Sequence, residues 1–432
     1  MTDDTETDSS DTDSIDLVTC TDVEDARKRI DDVVHRTPLD TSRTFADLSG
    51  AASVGLKLEN VQRTGSFKIR GAYNKMAQLS ADERDAGVIS ASAGNHAQGV
   101  ALAGQLLDID TTIVVPAVTP AAKIEATRGY GAELVVEGDI YERSYEFARE
   151  RADETGETFV HPFDDEDIIA GQGTIGLELR EQYPDLDTVF VAIGGGGLIS
   201  GIGTVLKAHD PATRVIGVQP EGAAHAKPTL ESAQGESIYE LADVDTVAEG
   251  IADTRLLETT AANVREVVDD VVSVSDRDIA TAVTLLAERA KTVVEGAGAA
   301  PLAAALSDAL DVTDEHVAVV ISGGNVNLTD HAELTRTGLH ELGRYAEARL
   351  AVDGWPTAVS DVVETVETEG AELDVLERAR RGSGLGTDTV DHPNRVPVTV
   401  GLEGSGPDHL AGVLDAIAEL DTVDVLSSLP EE

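Results

Sequence analysis

The chain has 432 residues, enough for two or three domains, and its 41% hydrophobic content is that of a folded enzyme rather than a disordered chain. Against 32 basic residues stand 81 acidic ones, a net charge of −49 that repels nucleic acid and anionic membranes and excludes them as main partners. No apolar run approaches the ~20 residues of a membrane span, the polar start is unlike a secretory or transit peptide, and one cysteine, Cys20, excludes internal disulfides and multi-cysteine metal sites; a cytoplasmic protein is expected.

Residues 1–18 read as a solvated acidic tail without apolar periodicity. Helical spacing of apolar residues predicts a helix over 23–34, and a strand follows over 54–58. A grammar of apolar strand, glycine-bearing turn and amphipathic helix then repeats. Strand 88–91 leads through Ser92-Ala93-Gly94-Asn95 to a helix ending at Leu107, and strand 111–116 to a helix opened by Pro120. Strand 133–137 precedes a helix over 140–155; strand 188–193 precedes the loop Gly194–Gly197, a helix over 198–209 and strand 214–219. A long amphipathic helix over 279–294 precedes strand 317–321, which ends in Ser322-Gly323-Gly324-Asn325. Continuous β-branched strands alternating with helices predict an α/β protein with parallel sheets covered on both faces. Beyond about 340 the order changes to strand 349–352, helix 356–369, strands 373–379 and 397–402 around a polar glycine-rich turn, helix 408–420 and strand 423–426. That βαββαβ order predicts a ferredoxin-like module.

Three turns at strand ends carry chemistry, because ligands of parallel sheets sit outside the carboxyl ends of the strands. In Gly194-Gly195-Gly196-Gly197, successive glycines let backbone N–H groups converge, and the following helix adds its own N–H groups and partial positive charge. This suits a phosphate, although an empty tight turn has the same pattern. Ser92-Ala93-Gly94-Asn95-His96 offers N–H groups and small polar side chains for a carboxylate or phenolate oxygen; alone it reads equally as helix capping. Lys68, between Phe67 and Ile69, has its amine shielded from water and hence eased toward the neutral, nucleophilic form. Alone it would read as a snorkelling lysine. Together, a phosphate cradle, a carboxylate loop and a shielded lysine meet the requirements of pyridoxal phosphate, with Ser322 as a neutral hydroxyl for the pyridine nitrogen.

The stretches Gly65-Ser66-Phe67-Lys68-Ile69-Arg70-Gly71-Ala72, Ser92–Gly99, Gly194–Gly201, Glu295-Gly296-Ala297-Gly298 and Ser322–Asn325 resemble, in order, the motifs of threonine dehydratases (threonine ammonia-lyases) in the tryptophan-synthase-β-like group. The resemblance covers roughly residues 20–335 and implies a fold type II pyridoxal phosphate enzyme with two parallel-sheet α/β domains. It implies a large domain of residues 19–63 and 161–338 and a small mobile one of residues 64–160. It further implies that Lys68 carries the cofactor as a Schiff base and is the catalytic base, with Phe67 near the ring, Asn95 on the phenolate oxygen, Gly194, Gly195, Gly196, Gly197 and Leu198 on the phosphate, and Ser322 on the pyridine nitrogen. Ser92, Gly94 and His96 would take the substrate carboxylate. The implied reaction removes water from L-threonine, or from L-serine, to leave 2-oxobutanoate or pyruvate and ammonia. These motifs supply no side-chain acid for the departing hydroxyl, leaving the cofactor phosphate as the expected acid.

Against the relatives, Ile69 stands where threonine and cysteine synthases place aspartate, and Ala93 where serine racemases place a second-face serine, so elimination is expected rather than racemisation. Racemase-like members hold a divalent cation with a glutamate and an aspartate six residues on; Glu221 matches, Lys227 does not, and no metal is expected. The module of residues 339–432 resembles an ACT domain, implying an amino-acid effector such as isoleucine or valine and, by pairing of modules, a homo-oligomeric dimer or tetramer. The acids are spread along the whole chain, lysines number only 8 and aromatics 3%, a composition suited to a salt-rich cytoplasm whose ions screen self-repulsion. Folding and activity are therefore expected to require molar salt, followed by circular dichroism and turnover across a potassium chloride series; full activity in dilute buffer would contradict it.

Overall fold

The computed structural model describes residues 17–232, 237–378 and 395–429. Most of the expected acidic tail, and the glycine-rich turn of the C-terminal module, lie outside the described residues. By contact density the chain forms two units, one running to Ile279 and resuming over Arg289–Val326, the other comprising Ala280–Glu288 and the chain from Asn327 onward.

Fourteen strands are described: β1 (Leu39–Thr41), β2 (Ser53–Leu58), β3 (Val88–Ala91), β4 (Thr111–Val115), β5 (Glu133–Val136), β6 (Thr158–Phe159), β7 (Thr188–Ala192), β8 (Arg214–Pro220), β9 (Asp270–Val274), β10 (His316–Ile321), β11 (Tyr345–Asp353), β12 (Glu372–Arg378), β13 (Arg395–Glu403) and β14 (Val423–Leu429). In the first unit, one sheet has the order β1-β2-β10-β7-β8-β9 and a second the order β5-β4-β3-β6. All pairs are parallel except β1 with β2, whose antiparallel register sets Leu39 opposite Lys57. β3, β4 and β7 are buried along their whole length, as strands covered on both faces must be. The second unit carries the sheet β12-β13-β11-β14, antiparallel throughout and built from a βαββαβ sequence, as expected.

Two helical expectations change. The helix expected over 279–294 is Asp276–Leu285 followed by a π-helical turn, Leu286–Ala290; Lys291, at φ 55°, then leaves helical geometry. Helix Glu166–Gln182, absent from the sequence reading, is the centre of the first unit and is buried from Ile168 to Leu179. Asp165 caps it, accepting from the N–H groups of Asp167 at 2.9 Å and Ile168 at 3.1 Å. Its glycines allow neighbouring helices to approach to backbone contact. A Cβ on Gly171 would lie 2.6 Å from the Cα of Gly71, and one on Gly173 2.8 Å from the carbonyl of Gly201.

A buried ion network ties this helix to the segment after β2 and to helix Ile69–Ala77. Arg70, fully buried, uses all five of its N–H donors. Two go to Glu59, from Nε at 2.9 Å and Nη2 at 2.7 Å; others reach Glu178 at 2.7 Å, Thr174 at 3.2 Å and the His35 carbonyl at 3.2 Å. Lys57 pairs with the other oxygen of Glu178 and donates to the Thr37 carbonyl at 2.8 Å. Burial would push Glu59 toward its neutral form, but the Arg70 guanidinium outweighs it and holds the carboxyl below the usual range. Breaking a buried pair by removing one partner strands the other charge. Arg70→Met is expected to cost about 3–5 kcal/mol, measured by denaturant titration; a loss under about 1 kcal/mol, the range of a surface pair, would contradict this role.

Candidate active site

Lys68 stands immediately before helix Ile69–Ala77. The chain reaches it through Thr64 and Gly65, both at positive φ (62° and 70°), and is stitched there to the turn after β10. Ser66 bridges Gly323, the Phe67 N–H donates to the Ser322 carbonyl at 3.2 Å, and the Gly324 N–H donates to the Gly65 carbonyl at 2.9 Å. This brings Ser322, only 4% exposed, next to the lysine segment. The Lys68 amine donates to the Pro162 carbonyl at 3.0 Å and lies 5.2 Å from the centroid of the Phe67 ring. Burial pushes it down to about 8, against the opposing pull of the Asp253 and Glu295 carboxylates.

The glycine loop follows β7. Gly196, at φ 90°, is the N-cap of helix Gly197–His209, and no side chain caps that helix, so its first N–H groups remain open to an anion. A Cβ on Gly195 would run into the Phe163 ring, and one on Gly197 would lie 2.8 Å from the Phe163 carbonyl. Glycine here lets the loop close on Phe163, the neighbour of the residue that receives the Lys68 amine. On the other side stands Asp253: a Cβ on Gly194 would lie 2.5 Å from its Oδ2, and burial pushes its carboxyl above the usual carboxylate range, against the pull of Lys68 and the Gly195 N–H.

Asn95 begins helix Asn95–Leu107. Its Nδ2 donates to Glu295 Oε1 at 2.7 Å, and its Oδ1 accepts from Asn325 Nδ2 at 2.7 Å. Asn325 also donates to the Thr64 carbonyl at 2.6 Å, closing the link to the lysine segment. Burial pushes Glu295 up to about 7, although the Asn95 N–H favours its ionised form. In the preceding turn Ser92 Oγ accepts the Gly94 N–H at 3.2 Å, and a Cβ on Gly94 would meet nothing within 4 Å. His96 is buried and donates from Nε2 to the Val160 carbonyl at 3.1 Å; burial pushes it down to about 3, so the ring is neutral.

The structure thus draws Lys68, Phe67, Asn95, Ser322 and the glycine loop to one set of strand ends. Two contributors escaped the sequence reading. His161-Pro162-Phe163 supplies the carbonyl that receives Lys68 and the ring that backs the glycine loop. His161 Nδ1 accepts from the Phe163 and Asp164 N–H groups at 3.2 and 2.8 Å, and burial holds this imidazole neutral, down to about 3. A Phe between Pro and Asp in a chain with 3% aromatics was the available signal. Asp253 had none, being one of 81 acids. Away from these residues, Lys227 donates to the Val271 carbonyl at 3.2 Å, and among the described residues no three or more His, Cys, Asp or Glu side chains gather as metal ligands.

These residues fit pyridoxal phosphate. The uncapped helix start and its glycines form a loop that packs against Phe163, Leu256 and Asp253 only because it carries no Cβ, the Lys68 amine is eased toward neutrality, and the buried hydroxyl oxygens of Ser66 and Thr64 have no protein partner among the described residues. The family model described as "Pyridoxal-phosphate dependent enzyme" matches residues 30–323. A protein of Thermotoga maritima named L-threonine ammonia-lyase is 44% identical over 83% of this chain and 88% of its own length. The processed threonine deaminase isoform 2 of Solanum lycopersicum superposes with a TM-score of 0.69 at 36% identity, over 74% of this chain and 90% of that one. Maize serine racemase superposes with a TM-score of 0.70 at 36% identity, over 76% and 99%. With most of the chain covered and identities well above what shared fold alone gives, this protein belongs to the family of pyridoxal-phosphate dependent enzymes.

Proposed function

We propose that the chain is a threonine ammonia-lyase, converting L-threonine to 2-oxobutanoate and ammonia and L-serine to pyruvate and ammonia. The observation that carries this reading is the Lys68 amine, held near 8 by burial and tied through one backbone ladder to Ser322 and through Pro162-Phe163 to the glycine loop. The match to a protein named L-threonine ammonia-lyase over most of both chains, and the methyl group of Ala93 where the resemblance places a racemase hydroxyl, both favour elimination.

Pyridoxal phosphate, when bound, supplies an aldehyde that condenses with amines and a ring that withdraws electrons from the substrate α-carbon. Lys68 would hold it covalently, the N–H groups from Gly194 to Leu198 its phosphate, Asn95 its phenolate oxygen and Ser322 its ring nitrogen, with Phe67 beside the ring. Ser92 and Gly94 would take the substrate carboxylate, Gly94 presenting open space to it. His96 would contribute to that loop through its backbone, since its ring is committed to Val160. Lys68 would also take the α-proton, and with no hydroxyl at position 93 it would be the sole base at the α-carbon. The β-hydroxyl then leaves, and the released enamine hydrolyses to the 2-oxo acid and ammonia. The neutral imidazoles of His96 and His161 add no second cation beside the Lys68 amine, which keeps a proton-accepting group proton-accepting.

The C-terminal unit supports a regulatory role. Its β11-to-helix turn contains Trp355, the sole tryptophan, at the edge of an open groove of about 610 Å³ whose lining mixes apolar side chains (Val359, Val363, Leu376) with Ser360, Glu364 and Glu367. An isoleucine or valine effector suits that mixed lining, apolar for the side chain and acidic for the ammonium, with pairing of two such modules giving a homo-oligomer, and the charge suits a salt-rich cytoplasm.

Three measurements test these readings. L-Threonine is expected to yield 2-oxobutanoate, and Lys68→Ala to abolish both turnover and the visible Schiff-base band; production of D-serine from L-serine faster than pyruvate would replace the lyase reading with a racemase one. In apoprotein, reductive methylation of Lys68 followed by mass spectrometry is expected to rise with a midpoint near pH 8, protonated below and reactive above, rather than at the ordinary 10.5. Isoleucine or valine is expected to change Trp355 fluorescence saturably; no change with either, in protein that turns over threonine, would remove the effector reading.

A further inference from the structure

Glu295 opens the stretch Glu295-Gly296-Ala297-Gly298, to which the reaction above gives no part. It is the N-cap of helix Gly296–Ala305, yet its side chain does not cap that helix. Its backbone is tied locally instead. The N–H donates to the Gly323 carbonyl at 3.2 Å, and the carbonyl accepts from the Gly298 and Ala299 N–H groups at 2.9 and 3.0 Å. The carboxylate is left to reach past the turn after β10, where Oε1 accepts from Asn95 Nδ2 at 2.7 Å. Glycine at position 323 permits this, since a Cβ there would collide with Glu295 Oε1 and lie 3.2 Å from Asn95 Nδ2. On the far side of Asn95, Asn325 Nδ2 donates to Oδ1 at 2.7 Å and to the Thr64 carbonyl at 2.6 Å. Both hydrogens of that amide are used, and it can only give. Asn95 can therefore lie one way: its oxygen is taken by Asn325, one N–H by Glu295, and one N–H remains.

Resting on the cofactor placement proposed above, with Asn95 at the phenolate oxygen, we propose that Glu295 is a positioning residue for pyridoxal phosphate: by accepting one Asn95 N–H it aims the other at that oxygen. A hydrogen bond donated to an ionised oxygen is among the stronger ones and favours the ionised form. The part Glu295 plays is that of an acceptor atom in a fixed place, not that of a charge. Glu295→Gln keeps such an atom, because Asn95, held by Asn325, offers it only an N–H. Glu295→Met has similar length and no acceptor, so Asn95 would keep one anchor and swing about it.

The test measures the affinity of the full chain, stripped of cofactor, for two probes. One is pyridoxal phosphate; the other is 3-deoxypyridoxal 5′-phosphate, which lacks the phenolic oxygen but keeps the aldehyde, ring nitrogen and phosphate. Each loss is taken relative to wild type with the same probe. Glu295→Met is expected to weaken pyridoxal phosphate about tenfold or more, the loss of a hydrogen bond to a charged oxygen, and the deoxy probe by less than about threefold. Glu295→Gln is expected to hold both probes within about threefold of wild type. Asn95→Ala is expected to show the same selective loss, which Glu295→Met added to it does not deepen, because the two act through one contact. Equal weakening of both probes by Glu295→Met makes Glu295 a packing residue and overturns the proposal. No weakening of either overturns it too, as does a loss in Glu295→Gln as large as in Glu295→Met, which would lay the effect on the charge. If Asn95→Ala weakens both probes alike, the placement of Asn95 at the phenolate oxygen falls, and the proposal with it; a selective loss in Asn95→Ala with none in Glu295→Met sinks the proposal alone.

Discussion

The position of Lys68 depends on a guanidinium two residues beyond it. Arg70 lies on the first turn of the helix that Lys68 precedes, and its five donors reach the segment after β2, the central helix and the backbone at His35. A fully buried cation is tolerable only when every donor is satisfied, so the fork admits little rotation without leaving a buried N–H unpaired. The rigidity is passed to Lys68 through one turn of helix. Lysine at position 70 would carry the charge but not the planar fork that meets Glu59 with two hydrogen bonds.

The buried acids divide into two kinds by their partners. Glu59 and Glu178 face Arg70 and Lys57, and Glu59 is held below the usual carboxylate range. Asp253 and Glu295 lack a paired cation of that kind, and burial lifts both. The first kind hold elements together; of the second, Glu295 is lifted to about 7, near a lysine whose own value has moved down to about 8. These few stand among 81 acids, and composition alone cannot separate them from the rest.

Legibility in the sequence followed period and glycine. Strands 88–91 and 188–193, the helix after Gly197 and the βαββαβ order are near-continuous apolar runs or clean alternations, and they lie within a residue or two of where periodicity puts them. Helix Glu166–Gln182 was hidden because a helix buried on every side has no polar face, and Gly171, Gly173 and Gly176 imitate a loop while serving as helix-crossing points. The antiparallel β1 is three residues long, too short to show a period. The early end of the helix after Asp276 arises from a π-turn, which side-chain spacing does not record. At the site, glycine motifs and the lysine were readable because they depend on local backbone geometry. Asp253 and Pro162 act through neighbours distant in the chain, so only the folded structure joins them to Lys68.

Asn95 shows how a small amide can carry direction. Asn325 donates through Nδ2 both to the Thr64 carbonyl and to Asn95 Oδ1, and Asn95 donates on to Glu295, so the hydrogen bonds run outward from Asn325, to the backbone on one side and through Asn95 to the carboxyl on the other. Turning the Asn95 amide over would set donor against donor at one end and acceptor against carboxylate at the other. The second Nδ2 hydrogen is left with a single assigned bearing, like the free arm of a bracket bolted at both ends. A change in the charge of Glu295 can alter how firmly that arm is held, but not which way it points.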